Sequence, residues 1–369
     1  MAGTVRHELT GSYNQTVGVR LDIDEAIEIL TPSDVPLQQW AADGPAATQV
    51  KVEWLEEDLT PQEVTVVSET ATAGVGDVVV NDASPIRVGD VLLERGAAYT
   101  KQFLVTAVNQ TTNTLTVTGF AGNATDPTVA AVLEIIGQYN TEGGDPKDPR
   151  SIEREMPYNY TQIGQEQVEV TRTARKRGLY GQGDPYDHEV MKKFKELAIR
   201  FERSMVNGYR TLSGDSTKRM MGGLFFYIAT NSQSGTVAQA SAKVNALAKS
   251  CYEAGGTPTV LMVSPSVKVG LSTIDASLRR SDRGQTTQGY VTEQILTDFG
   301  EIDVVINRHF PRTKGILLQK EFIKKRPFDT YFHELLAKTG DSESGELVGE
   351  YSLEVKNEKA HGLITLTDA

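Results

Sequence analysis

Between Asp184 and Tyr209 the chain reads DPYDHEVMKKFKELAIRFERSMVNGY, and its apolar positions recur at three and four. Val190, Phe194, Leu197, Ala198, Phe201, Met205 and Val206 fall on one stripe of a 3.6-residue helix. Lys192, Lys193, Lys195, Glu196, Arg200, Glu202 and Arg203 are assigned to the opposite, polar face. Asp184 is placed to accept the free amides of the first turn, Pro185 suits the first helical position, and Asn207-Gly208 reads as a left-handed stop. At 1.5 Å per residue such a helix spans roughly 35 Å, a spine for the rest of the fold.

Elsewhere the pattern is shorter in range. Residues 1 to about 20 have no period and read as an extended arm, followed by a short acid-capped helix at Asp22–Leu30. Val50–Leu55 alternates as a strand. From Gln62 to about Tyr139, β-branched runs at Val64–Val67, Val78–Val80, Val91–Leu93, Phe103–Val105 and Leu115–Val117 are separated by turn residues, predicting a small all-β module, sandwich or barrel. Residues 141–149 form a linker, and Tyr158–Arg172 is strand-like and placed to return beside Val50–Leu59. After the spine, the glycine pair in MMGGLFFYI suggests close backbone packing, and an Ala-rich helix covers Thr236–Ala254, ended by Gly255-Gly256. Strands are predicted at Thr259–Val263, Ile302–Asn307, Gly315–Gln319, Thr330–Leu335, Leu347–Lys356 and Gly362–Leu366, with a helix opened by Ser264-Pro265. The fold class is α+β, with helices first and an antiparallel sheet later.

Composition narrows the function by exclusion. Its 369 residues can bury a full core, and a net charge of −12 disfavours gripping nucleic acid, which needs excess Lys and Arg. One cysteine, Cys251, excludes an intrachain disulfide framework and fits a reducing cytoplasm; no apolar run is long enough to span a membrane and no signal peptide opens the chain. The five histidines show no metal-ligand spacing. GLYGQG at 178–183 is neither a phosphate loop nor a dinucleotide fingerprint, and Gly-Asp-Ser at 214–216 and 340–342 lacks a nucleophile elbow. Cys251 reads as a small core residue and the four Asn-x-Ser/Thr sequons carry no weight without secretion. A basic run, Arg172, Arg175, Lys176 and Arg177, reads first as a solvated loop. Set against the acidic run Glu53, Glu56, Glu57 and Asp58, it is a candidate for electrostatic pairing between subunits. Arg279, Arg280, Asp282 and Arg283, with Lys324, Lys325 and Arg326, are weaker candidates of that kind.

The order and spacing of DIDEAIEILTPSDVPL, NYTQIGQEQVEVTRTA, the spine, MMGGLFFYIATN, PTVLMVSPSVK, TDFGEIDVVINRHFP, LLAKTGD and GEYSLEVKNEKAHGLI resemble the major capsid proteins of tailed bacteriophages. That shell fold is shared with encapsulins and the herpesvirus capsid floor, and the resemblance is to members with a β-domain inserted in the extended loop. It implies an N-terminal arm (1–50) and an extended loop (51–172) carrying the β module (about 62–139). A peripheral domain (173–222 and 316–356, with spine 184–209) and an axial domain (223–315 and 357–369) follow. It further implies no catalysis, no cofactor and no metal. The protein would form pentamers and hexamers of an icosahedral shell around packaged double-stranded DNA, held without sequence-specific contacts and with no membrane. Partners would be a portal, a scaffolding protein that is separate or already removed (the arm begins almost at Met1), and, as a further candidate, a decoration protein. Assembly in the bacterial cytoplasm into a virion is expected. Two other readings stand beside it: the shell of a cellular nanocompartment, and a β-rich binding module or adhesin; an enzyme has least support.

Overall fold

The computed structural model describes residues 35–97, 101–145, 147, 149–177, 184–214, 217–274, 294–338 and 340–367. The expected helix at Asp22–Leu30, the GLYGQG stretch, the serine of the first Gly-Asp-Ser and the Arg279–Arg283 cluster lie outside them. The chain divides into two compact units, Met1–Trp54 with Pro157–Ala369, and Leu55–Met156.

The larger unit is built on the spine, Pro185–Asn207. Asp184 caps it as its sequence predicts, accepting from the Tyr186 amide at 3.0 Å. Leu197, Phe201, Met205 and Val206 are buried against a four-stranded sheet, each contributing roughly 2 kcal/mol of apolar burial. The sheet order is Ala42–Asp43, Ile323–Leu335, Ser342–Val355, Gln162–Thr171. Gly164 is what lets the spine approach: a Cβ there would lie 2.6 Å from Phe201 and 2.7 Å from Leu197. The stop is not left-handed. Gly208 has φ −59°, and it is glycine because a Cβ would meet the carbonyls of Ser204 and Met221 at 2.4 Å. Gly223 sits in the same crossing, its would-be Cβ 2.7 Å from the Gly208 amide nitrogen, which is the close packing expected of the glycine pair.

The same unit holds a six-stranded sheet, ordered Ser232–Thr236, Gly362–Thr367, Lys314–Leu318, Val260–Val263, Gly300–Ile306, Gln294–Thr297. It is mixed and not the single antiparallel sheet expected, because Ser232–Thr236 runs parallel to Gly362–Thr367 and Val260–Val263 parallel to Gly300–Ile306. Both parallel pairings need long crossovers, which local periodicity does not encode. Ala240–Glu253 packs on this sheet through Val244, Leu247, Ala248 and Cys251. Lys314–Leu318 pairs with Val260–Val263 and Gly362–Thr367 in this sheet, while its Ile316 and Leu318 also join the core of the spine.

Leu55–Met156 contains a closed six-stranded barrel, in the order Glu63–Glu69, Gly76–Val80, Thr114–Gly119, Gln102–Asn109, Asp90–Glu94, Val132–Gln138. The β-branched alternation explains it: Val64, Val66, Val78, Val80, Phe103, Val105, Leu115 and Val117 point inward while their neighbours face solvent. Val132–Gln138, not among the runs singled out in the sequence, closes the barrel and leaves no exposed edge.

Candidate assembly surfaces

One carboxylate organises the larger unit, and its position on the helix hides it. Glu202, assigned to the polar face of the spine, is fully buried. It accepts from the Leu37 amide at 2.9 Å, the Gln38 amide at 3.0 Å and Asn307 Nδ2 at 2.7 Å. Leu37 and Gln38 open the short helix Pro36–Trp40, whose first amides have no partner within the helix, so Glu202 caps it from 165 residues away. Burial raises the Glu202 pKa, and the amide donors from Leu37, Gln38 and Asn307 pull it the other way without cancelling the rise. The segment is fastened further by Gln38 Nε2 donating to Ala198 O at 2.7 Å and by Ala42–Asp43 pairing in parallel with Lys324-Lys325. The described part of the expected arm, residues 35–50, therefore lies along its own chain.

The root of the extended loop is held as firmly. Lys51–Glu53 pairs with Tyr158–Tyr160, so the return strand does run beside the outgoing one, though only over three residues. The longer Gln162–Thr171 pairs with Ser342–Val355 instead. Buried Asn159 spends all its capacity here, donating to Gly222 O and Leu353 O and accepting from the Gly222 and Tyr160 amides. Arg210 lies 4.0 Å from the centre of the Tyr158 ring and donates to the Tyr158 carbonyl at 2.8 Å.

The basic run is not a loop: Arg172–Arg177 is a helix. Arg, Thr, Ala and Lys without a breaker suffice for one and a half turns. Arg172 pairs with Asp341 at 2.7 Å, and Arg175 pairs with Asp184 and Glu343. The Tyr186 amide first, and then Arg175, hold the Asp184 carboxyl below its ordinary range. Lys176 is exposed, and with Arg172, Arg175 and Lys338 it lines an open cavity of about 410 Å³; Arg177 is exposed as well. Of the acidic run, Glu53 pairs with Lys51 and belongs to the larger unit. Glu56, Glu57 and Asp58 belong to the barrel unit, where Glu57 pairs with Arg154 at 3.0 Å and Glu56 forms a backbone bridge with Glu155.

Apolar side chains stand uncovered beside these charges. In the barrel unit Leu55 is 62% exposed, Leu59 93% and Met156 58%. On the larger unit Met191 and Phe194 of the spine and Phe328, Phe332 and Leu335 of the strand Ile323–Leu335 are exposed. Among the described residues no group of three or more His, Cys, Asp or Glu is disposed to hold a metal ion, and no helix is long and apolar enough to cross a membrane. Ser342 of the second Gly-Asp-Ser donates to Glu169 at 2.6 Å at the start of a strand.

Residues 9–368 match the SU10 major capsid protein family. The chain belongs to that family. No curated protein sequence matches it. Solved structures of the same fold include the capsid of Myoviridae phage XM1, 7% identical with TM-score 0.53, covering 98% of this chain and all of that one. The capsid of a native GTA particle is 9% identical with TM-score 0.56 over 98% and 100%. A Mycobacterium phage Adephagia chain is 9% identical with TM-score 0.52 over 98% and 99%. As an SU10-family member the chain is a major capsid protein of a tailed phage, a virion component that assembles with copies of itself. The α+β shell fold, with its β insertion in the extended loop and its long spine, is thereby accounted for.

Proposed function

We propose that this capsid protein forms the pentamers and hexamers of an icosahedral shell that encloses packaged double-stranded DNA, with a structural and not a catalytic role. The spine with the sheet of Ile323–Leu335 and Ser342–Val355 would be the peripheral domain. The six-stranded sheet would be the axial domain at capsomer centres. The reaching part of the loop is Leu55–Met156, narrower than 51–172, because Gln162–Thr171 is consumed by the spine's own sheet. The carrying observation is the uncovered apolar set Leu55, Leu59 and Met156, which a lone subunit leaves in water. Heterologous contacts that close on themselves are the means of burying it. Lys176 and Arg177 would take the acidic run Glu56, Glu57 and Asp58 of a neighbouring copy, a contact weakened by salt. A chain with net charge −12 facing DNA repels phosphate, so the genome is contained and released without being gripped. Portal, scaffolding and decoration proteins, and assembly in the host cytoplasm, complete the proposal.

Electron microscopy of particles from infected cells, with nuclease digestion of their surroundings, tests it. Closed shells holding nuclease-resistant DNA are expected. Shells holding an enzyme and no DNA would replace this reading with that of a nanocompartment.

A further inference from the structure

The barrel unit is where the chain keeps its charge. Residues 55–156 carry sixteen Asp and Glu against six Lys and Arg, a net −10, whereas the remainder has thirty-three against thirty-one. Four of those six cations are neutralised within the unit. Arg95 pairs with Glu63 and Glu134, Lys101 with Glu94 at 2.7 Å, Arg150 with Asp90 at 2.7 Å and Arg154 with Glu57 at 3.0 Å. The two left over, Arg87 and Lys147, have no carboxylate partner among the described residues, and both line the same cavity of about 480 Å³.

The cavity holds two cations and no carboxylate, with Gln110 a further polar side chain in its lining. The Arg87 η nitrogens donate to the carbonyls of Ser84 at 2.6 Å, Ile86 at 2.9 Å and Pro149 at 3.1 Å, which fix the guanidinium without cancelling its charge. Its Nε is buried with no hydrogen-bond partner, an unusual condition for a charged donor. Asn109 commits its Oδ1 to the amides of Thr111 and Thr112, which leaves its Nδ2 to donate. Ile86, Val88 and Val108 supply apolar wall. Donors, positive charge and hydrocarbon lining one concave surface suit a ligand with an anionic group on a carbon frame. Two cations set in a unit of net −10 match a single negative charge better than a phosphate dianion, which the surrounding carboxylates repel.

We propose that this barrel cavity binds a small organic carboxylate, with Arg87 and Lys147 supplying the counter-charge and Asn109 a further donor. Lys147 is exposed and takes part in no hydrogen bond or ion pair among the described residues, so Lys147→Gln should leave the fold intact. Calorimetric titration of the full-length protein with glucuronate, glutamate and benzoate tests the proposal, with glucose and inorganic phosphate as comparison arms. At least one carboxylate should bind saturably, one per chain, at least about tenfold more tightly than glucose or phosphate, and Lys147→Gln should weaken it about tenfold, roughly 1.4 kcal/mol. No saturable carboxylate binding, equal binding of glucose or phosphate, or affinity unchanged in Lys147→Gln would each overturn it.

Discussion

Replacing Glu202 by alanine should unfasten the first described helix from the spine. The substitution removes the acceptor for three buried donors, Leu37 N, Gln38 N and Asn307 Nδ2, at 2.7 to 3.0 Å. A buried donor left unmade costs about 1–3 kcal/mol, and breaking a buried charged network about 3–5 kcal/mol as a whole, because relaxation recovers part of the sum. For a unit of this size, 4 kcal/mol corresponds to a fall in melting temperature of about 7 °C. Glu202→Gln should lie between. Its single carbonyl oxygen can still serve Leu37 and Asn307, but its NH₂ would face the Gln38 amide, donor against donor. Urea unfolding of unassembled protein reads the global cost, and hydrogen exchange at Leu37 and Gln38 reads the local one. The pH dependence has a definite sign. Burial holds the folded Glu202 pKa above its unfolded value, so this group destabilises the fold as pH rises from the unfolded to the folded pKa, and Glu202→Gln removes that slope. An alanine variant within about 1 kcal/mol of the parent, or a glutamine variant worse than alanine, would mean that Glu202 does not fasten this helix.

His361 gives a slope of the opposite sign. Its Nδ1 accepts from the Gln319 amide and its Nε2 donates to Lys356 O, and burial pushes its pKa down to about 4. Stability from the neutral ring is complete above the unfolded value near 6.5 and is lost as pH falls toward 4, by about 3 kcal/mol; His361→Asn should flatten denaturation midpoints across that window. Gly208→Ala should cost about 1–3 kcal/mol in thermal unfolding even though φ there is ordinary, since the methyl group would strike two backbone carbonyls; a neutral effect would mean the crossing opens freely.

Local signals carried far in this chain and stopped where partners are distant in sequence. Asp184-Pro185 and the three-four spacing of Leu197, Phe201 and Met205 gave the spine its start and buried face. Glu202 lies four residues after Ala198 and three before Met205, inside the stripe, yet its charge sent it to the polar face. Only the fold brings it the amides of Leu37 and Gln38. Gly208 was recognisable as a stop, but its reason, the approach of Met221, was not. The charge of Arg172–Arg177 suggests a solvated loop, while its residues have adequate helix propensity. Val132–Gln138 carries the same β-branched signal as its neighbours and could have been found; the parallel pairing of Ser232–Thr236 with Gly362–Thr367 could not. The resemblance to capsid proteins rests on the order of many weak stretches and does not depend on any one of these elements.

The subunit is finished only by other subunits, and Leu55 and Leu59, exposed in the barrel unit, are where this can be tested. Each leucine buried at an interface is worth roughly 2 kcal/mol, repeated at every copy in a closed shell. Leu55→Ser with Leu59→Ser should leave the unassembled chain's melting temperature and circular dichroism unchanged while sedimentation shows no closed shells under conditions where the parent forms them. Shells of unchanged yield and stability from the double variant would contradict the account.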